Sequence, residues 1–387
     1  MTDFLTRRQL LQRGAAGSAL LTVPGLVAAC GGSSSKSSGA AGSSDHKLAK
    51  TLNFSNWTLY IDVNEKTKSH PSLDQFKKKT GVNVNYVEDI NDNASYFGKI
   101  QGPLSRGQGI GRDIIVMTDN SRYPSLLIKK GWLEKLDKSA IPNIKNLQPA
   151  LRHPNWDHDR EYSLPWQSGM TGIGFNDKLT DPVLSVPQLL EDKKLKGKVT
   201  LLSEMGDTLA LVMLANGDDP AKVTDATFNR AISRIKKAVD SGQVRQFTGN
   251  DYSGPLAKGD LKAAMAWSGD IVQLQSSNKH LHWNLPTDGG DIWTDNMLIP
   301  KGGNVFTAST YMNFAYEPKI AAEIEAYVNY ICPVLGAKQV LLKSNPDISN
   351  NTLIFPTNKM LDNVHIIDAS ALSNPKYLAT WQDLVSA

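Results

Sequence analysis

Residues 162–174, YSLPWQSGMTGIG, and residues 286–293, PTDGGDIW, decide how this chain is divided. Both mix Pro and Gly with strand-like residues, and each reads as a crossover between two lobes. On either side the sequence alternates short strands with helices. Strands are expected at Thr51–Trp57, Val82–Val87, Asp113–Met117, Gly172–Asn176, Lys198–Leu202, Leu261–Trp267, His280–Leu285 and Asn296–Ile299. They are short, apolar or alternating, and flanked by turn residues. Helices are expected at Ser72–Thr80, Arg122–Lys130, Thr227–Ser241, Pro318–Ile331 and Pro375–Val385. The first three are each closed by a glycine, at Gly81, Gly131 and Gly242. In the third, Phe228, Ile232, Ile235 and Val239 recur at helical spacing. Such alternation implies an α/β fold with largely parallel sheets. Two crossings imply discontinuous lobes with a hinge and a central cleft. The expected division is 51–165 with 292–330 for the first lobe, and 166–291 with 331–387 for the second.

Toward the N-terminus the fold gives way to a different pattern. Arg7, Arg8 and Arg13 form a basic start, and Thr6-Arg7-Arg8-Gln9-Leu10-Leu11 resembles a twin-arginine export motif. The mostly apolar run from Ala15 to Ala29 is too short to span a bilayer, which takes about 20 residues. Residues 1–29 therefore read as a cleaved signal peptide. They end in Val27-Ala28-Ala29-Cys30, which resembles a bacterial lipobox with Cys30 as the lipidation site. A Gly/Ser/Ala-rich linker follows within residues 30–50, with a reach of about 20 Å. Export route is open between the twin-arginine and general secretory systems. The whole chain of 387 residues carries a formal charge of +4, and residues 1–29 account for +2 of it. That is too little to argue for nucleic acid or a polybasic membrane patch. With Cys30 lipidated, the other cysteine, Cys332, has no disulfide partner.

Enzyme motifs are missing. There is no phosphate-binding G-x-x-x-x-G-K-[ST], no G-x-S-x-G elbow and no H-E-x-x-H zinc helix. Gly107-Gln108-Gly109-Ile110-Gly111 precedes a strand, whereas a dinucleotide loop must follow one. His280 and His282 face one side of a strand and read as ordinary histidines. Asp157-His158-Asp159 reads as a polar turn, and Cys332 as a buried inert thiol. No cofactor, metal or nucleic acid is expected, and no catalytic residue is assigned.

What stands out is tryptophan beside carboxylate. Asn56-Trp57-Thr58-Leu59-Tyr60-Ile61-Asp62 ends the first strand, Trp267-Ser268-Gly269-Asp270 ends another, and Trp293-Thr294-Asp295 sits at the second crossover. Each Trp alone reads as core. Together, at strand ends where open α/β sheets bind ligands, they suit a cation. Aromatic faces attract cations, and carboxylates give charge-assisted hydrogen bonds to ammonium groups. A linear di- or triamine fits rings along its alkyl chain and acids at its ends.

On these residues the chain resembles the spermidine/putrescine-binding proteins of ABC importers, a branch of the periplasmic binding protein superfamily. The resemblance covers about Leu52 to Ala387. It is carried by Asn56, Trp57, Thr58 and Tyr60; by Asp113-Ile114-Ile115-Val116 and Gly131-Trp132-Leu133-Glu134-Lys135-Leu136-Asp137; and by Tyr162-Ser163-Leu164-Pro165-Trp166. Lys196-Gly197-Lys198-Val199, Trp267-Ser268-Gly269-Asp270 and Trp293-Thr294-Asp295-Asn296-Met297 continue it in order. The resemblance implies a two-lobed binding protein whose cleft closes on a polyamine. Trp57, Thr58 and Tyr60 would line the first-lobe wall, with Thr118 and Asn120 in the turn after the third strand. Trp267 would stack on the alkyl chain with Asp270 close by, and Trp293 with Asp295 would grip one amine. Two departures arise. Spermidine binders carry two acids in the turn after the Lys198–Leu202 strand, and direct count puts Met205 and Thr208 there, so Glu204 and Asp207 are the candidates to take over. The family's late Tyr falls near Cys332-Pro333, which implies a missing aromatic wall, and a C-terminal Gln matches Gln382 loosely.

The expected function is thus a non-enzymatic, monomeric solute-binding lipoprotein. It would be anchored at the bacterial cell surface or in the periplasm through an N-terminal lipid. It would bind a polyamine between its lobes and deliver it to an ABC permease and a separate ATPase. The alternatives are the same fold with another cationic or amine solute, or a secreted enzyme on this fold.

Overall fold

Of the two stretches that divide the chain, residues 162–174 form most of β5 (Ser163–Asn176) and residues 286–293 lead into β10 (Gly290–Pro300), the two longest strands among the described residues. They lie side by side and antiparallel, from Asp291 opposite Thr171 to Leu298 opposite Ser163, with a register shift between Asp295 and Asn296. Every residue of β5 is buried, as expected of a strand covered on both faces. The computed structural model describes residues 46–386. The expected signal peptide, Cys30 and residues 30–45 of the linker lie outside the described residues.

On one side of this seam lie β1 (Thr51–Trp57), β2 (Asn83–Ile90) and β3 (Ile114–Thr118). On the other lie β6 (Val199–Leu202), β7 (Val244–Thr248) and β8 (Ala263–Trp267). The order is β2-β1-β3-β10-β5-β8-β6-β7. Each outer group is parallel within itself, as helix–strand alternation predicts. The centre is not: β10 runs antiparallel to β3 and β5, and β5 antiparallel to β8. The expectation of largely parallel sheets therefore holds for the two flanks and fails at the seam. Both long strands pass between the groups, so each meets its neighbours head to tail. Short additions are β4 (Leu133–Glu134) and β11 (Val364–His365) on β10, and β9 (Leu281–Asn284) on β5.

β1 and the helix Pro375–Val385 match their expected bounds, while several helices are absent from the sequence expectation, among them Asn93–Ser105, Met205–Ala215, Ser268–Gln275 and Val305–Ala315. Met205–Ala215 is buried from Met205 through Met213. A helix apolar on all sides shows no 3.6-residue stripe, so periodicity is blind to it. Asn93–Ser105 contains Gly98, Gly102 and Pro103, which propensity counts against a helix. It starts because the Asp92 side chain accepts a hydrogen bond from Ser95 N. β7 was also missed, since Arg245 and Gln246 interrupt its apolar pattern.

Residues 331–387 were expected in the second lobe, and the first part of that segment packs elsewhere. Val334 bridges Leu147, Gln148 N donates to Pro333 O at 2.9 Å, and Leu335 N donates to Asn146 O at 2.7 Å. The helix Ala337–Ser344 packs on the helix Pro318–Val328. The C-terminal helix does join the second group. Tyr377 stacks on Phe228 at 4.0 Å, and Trp381 Nε1 donates to Ser203 O at 3.1 Å. The helix Pro346–Asn350 packs on Ala337–Ser344, and Lys338 lies over the Phe355 ring, so we propose that the final return to the second lobe falls after Phe355, with the other boundaries as the two crossovers set them.

Candidate functional site

The strands of both groups end at one partly open cavity, whose empty space including its open mouth is about 450 Å³. Trp57 closes β1, Thr118 closes β3 and Trp267 closes β8, while Glu204 and Asp207 follow β6. Ligand sites in open α/β sheets sit at such carboxyl ends. All eleven residues singled out in the sequence line the cavity: Trp57, Thr58, Tyr60, Thr118, Asn120, Glu204, Asp207, Trp267, Asp270, Trp293 and Asp295. Three lining residues were missed, Asn93, Asn250 and Tyr330.

The first wall depends on a local turn. Leu59 sits at φ 55, a left-handed conformation that costs a branched residue about 1–3 kcal/mol. Its N–H is held by Glu88 Oε1 at 2.9 Å. The chain reverses there, so Trp57, Thr58 and Tyr60 all reach the cavity. Tyr60 Oη donates to Asp295 Oδ2 at 2.7 Å, and Thr118 Oγ1 donates to Asp295 Oδ1 at 2.7 Å. Asn93 Nδ2 donates to Thr118 Oγ1 at 3.0 Å. Asn93 also ties the two flanks together: its N–H donates to Glu204 Oε1 at 3.0 Å, and its Nδ2 to the same oxygen at 3.2 Å.

The second wall is organised around two acids. Asp207 lies in the first turn of the helix Met205–Ala215, where its charge suits the helix dipole. It accepts from Trp267 Nε1 at 2.9 Å, from Asn120 Nδ2 at 3.1 Å and from Thr171 Oγ1. Thr171 Oγ1 in turn accepts from Trp293 Nε1 at 3.0 Å. Asp270 accepts from Tyr252 Oη at 2.8 Å, Asn250 Nδ2 at 2.9 Å and Tyr330 Oη at 2.9 Å. By contrast, the hydroxyl of Thr208 donates to Leu202 O at 2.7 Å, and neither Thr208 nor Met205 lines the cavity. The helix that begins at Met205 turns Glu204 and Asp207 toward the cavity instead. Direct count puts Met205 and Thr208 at the family's acid positions, and the two candidates to take over, Glu204 and Asp207, are the residues that line the cavity.

The expected gap in the aromatic wall is not there. Tyr330 fills it, with its ring centroid 5.2 Å from Tyr60 and 5.7 Å from Trp293. Asn329 at φ 59 ends the preceding helix in the left-handed conformation and turns the chain so that Tyr330 enters the cavity. The tyrosine stands two residues before Cys332, a displacement visible in the sequence once the helix end is placed at Val328. Gln382, the loose C-terminal match, is exposed on the last helix and does not line the cavity.

Two glycines make room for these rings. A Cβ on Gly269 would overlap the Tyr330 ring, and one on Gly169 would overlap Trp293. Gly269→Ala is expected to cost about 1–3 kcal/mol of stability, the range for overpacking, and to displace Tyr330. Urea denaturation checks this, and an unchanged midpoint would refute the packing.

Electrostatically the cavity is one-sided. Glu204, Asp207, Asp270 and Asp295 line it, and among its described lining residues there is no Lys, Arg or His. Burial raises the Asp295 carboxyl to about 7, against the pull of its bonds from Thr118 and Tyr60. Burial, then the neighbouring Asp207 charge, raises Glu204 to about 8. Burial also raises Asp207, although three donors oppose it. Buried acids without a counter-charge are unfavourable as anions. A cation entering among them would reverse that penalty.

The other motifs stay apart from this cavity. Asp157 holds a turn by accepting from Glu161 N and Tyr162 N, each at 3.0 Å. His280 and His282 both bond Asp177, at 2.8 and 2.7 Å. Cys332 is buried and free.

A two-lobed α/β protein with its cavity at the facing strand ends of both lobes is a solute-binding protein of the periplasmic type. The chain belongs to the bacterial extracellular solute-binding protein family, whose profile matches residues 72–357. It is 26% identical over 316 residues to the spermidine/putrescine-binding periplasmic protein of Escherichia coli (strain K12), covering 81% of this chain and 85% of that one. It is 28% identical over 371 residues to the putrescine-binding periplasmic protein SpuD of Pseudomonas aeruginosa (strain UCBPP-PA14), covering 90% and 94%. Among solved structures it shares its fold with the spermidine/putrescine ABC transporter substrate-binding protein PotD of Streptococcus pneumoniae. That match has a TM-score of 0.69 at 23% identity, covering 87% of this chain and 98% of the other.

Proposed function

We propose that this protein binds a polyamine of the putrescine/spermidine class and hands it to the permease and ATPase of an ABC importer. The observation that carries the reading is the cavity itself: four carboxylates interleaved with Trp57, Tyr60, Trp267, Trp293 and Tyr330. Acids satisfy ammonium ends, and aromatic faces cover the alkyl chain between them. The case for a different amine rested on Met205 and Thr208, and Glu204 and Asp207 take their place at the cavity. Isothermal titration with putrescine, spermidine and spermine tests the reading. Saturable binding of one of them is expected, and no heat with any of the three would overturn it.

The same proposal includes an anchored, monomeric protein. The lipobox ending at Cys30 and the linker after it support attachment of the folded part to the outer face of a membrane. Among the described residues no helix is long and apolar enough to cross one. Cys30→Ala is expected to move the protein from the membrane fraction to the soluble fraction of expressing cells. Retention in the membrane fraction would refute the anchor.

A further inference from the structure

The side-chain nitrogen of Asn120 is committed twice. Nδ2 donates to Asp207 Oδ2 at 3.1 Å and to Asp291 Oδ2 at 2.8 Å. An amide nitrogen has two protons, so both are used. Reversing the amide would turn its oxygen onto Asp207 Oδ2 and Asp291 Oδ2 and take away the N–H donor that both oxygens accept from. The backbone is fixed as well, because any side chain at Gly206 would overlap the Asn120 carbonyl. Asn120 lines the cavity, and its amide oxygen is the polar atom left to face it. Asp291 does not line the cavity; it is fully buried near the start of β10, behind Asn120.

We propose that Asp291 is a positioning residue: with Asp207 it locks the Asn120 amide so that the oxygen faces the cleft and accepts a hydrogen bond from a ligand ammonium. The opposite orientation would present a donor to a cation. This rests on the amine reading of the cavity.

Two variants separate the lock from simple packing. Asp291→Asn keeps the shape, but its own amide can donate to Asn120 and permits the reversed orientation. Asp291→Ala removes the acceptor and leaves Asp207 to hold the amide. By titration calorimetry, Asp291→Asn is expected to weaken putrescine binding about tenfold, and Asp291→Ala by less. A space-filling role gives the reverse order, since alanine leaves a void and asparagine does not. In an Asn120→Ala background, Asp291→Asn is expected to change affinity by less than about twofold. The reverse order, or an undiminished effect in that background, overturns the lock. The Asn120 side-chain amide gives a readout that needs no ligand. Its NMR resonances, assigned by their loss in Asn120→Ala, should exchange slowly with solvent in the unaltered chain and faster in Asp291→Asn. Equal exchange in the two also overturns the lock. If the amide behaves as expected and no polyamine binds the unaltered chain, the polyamine reading fails and the lock is kept.

Discussion

Asp295→Asn is expected to lower polyamine affinity by more than about hundredfold. Breaking a buried ion pair by removing one partner costs about 3–5 kcal/mol, and each 1.4 kcal/mol is about a factor of ten. Asp295 is central because both of its oxygens are already oriented, one by Tyr60 and one by Thr118. Burial keeps the Tyr60 phenol well above its ordinary range, so it stays a donor to that carboxylate. Asparagine fits the same space but carries no charge. Its amide N–H must also meet one of two hydroxyls that now donate to a carboxylate. The ligand-free fold should not suffer, since burial disfavours the Asp295 anion. The expected pair of results is a large loss of affinity by calorimetry with a melting temperature equal to or above that of the unaltered protein. An affinity within threefold of the original would remove Asp295 from the site. A lower melting temperature would mean that Asp295 is structural.

The sequence carried the cleft further than it carried the fold around it. Residues at strand ends were legible, because a strand's end is marked by turn chemistry and a Trp beside an acid is conspicuous there. Asn93 was invisible for a physical reason: it opens a helix of poor helix formers that one cap and tertiary packing sustain. Asn250 follows β7, whose exposed middle hides the strand before it. Tyr330 depended on where one helix stops, and a left-handed Asn329 decides that. The antiparallel seam was hidden for another reason. Local patterning reports that β5 and β10 are strands, but pairing between residues 120 to 135 positions apart is settled by packing the two flanks together.

The second large effect is on pH. A ligand ammonium has an ordinary pKa near 10 and stays charged throughout the range considered. The acids do not: without ligand, Asp295 takes up its proton near 7 and Glu204 near 8. A cation pairs with the anionic form, so binding expels protons and affinity rises with pH. From Asp295 alone the gain between pH 6 and pH 8 is about tenfold, and Glu204 adds to it if the ligand reaches its second oxygen. Stability of the ligand-free protein runs the other way. Unfolded carboxyls lose their protons near pH 4, while these folded ones keep them to about 7 and 8. Between those values the folded state binds more protons than the unfolded state, so its stability falls as pH rises. Ligand should cancel that fall, because it restores the favourable form of the same acids. Calorimetry in two buffers of different ionisation enthalpy at pH 7 measures the proton release directly. Thermal melts from pH 5 to pH 8 with and without spermidine measure the opposing slopes. Binding without proton release, with affinity flat across that range, would mean the acids are already ionised before the ligand arrives. In Asp295→Asn the proton released at pH 7 should diminish, which ties the linkage to that one carboxyl and separates it from Glu204.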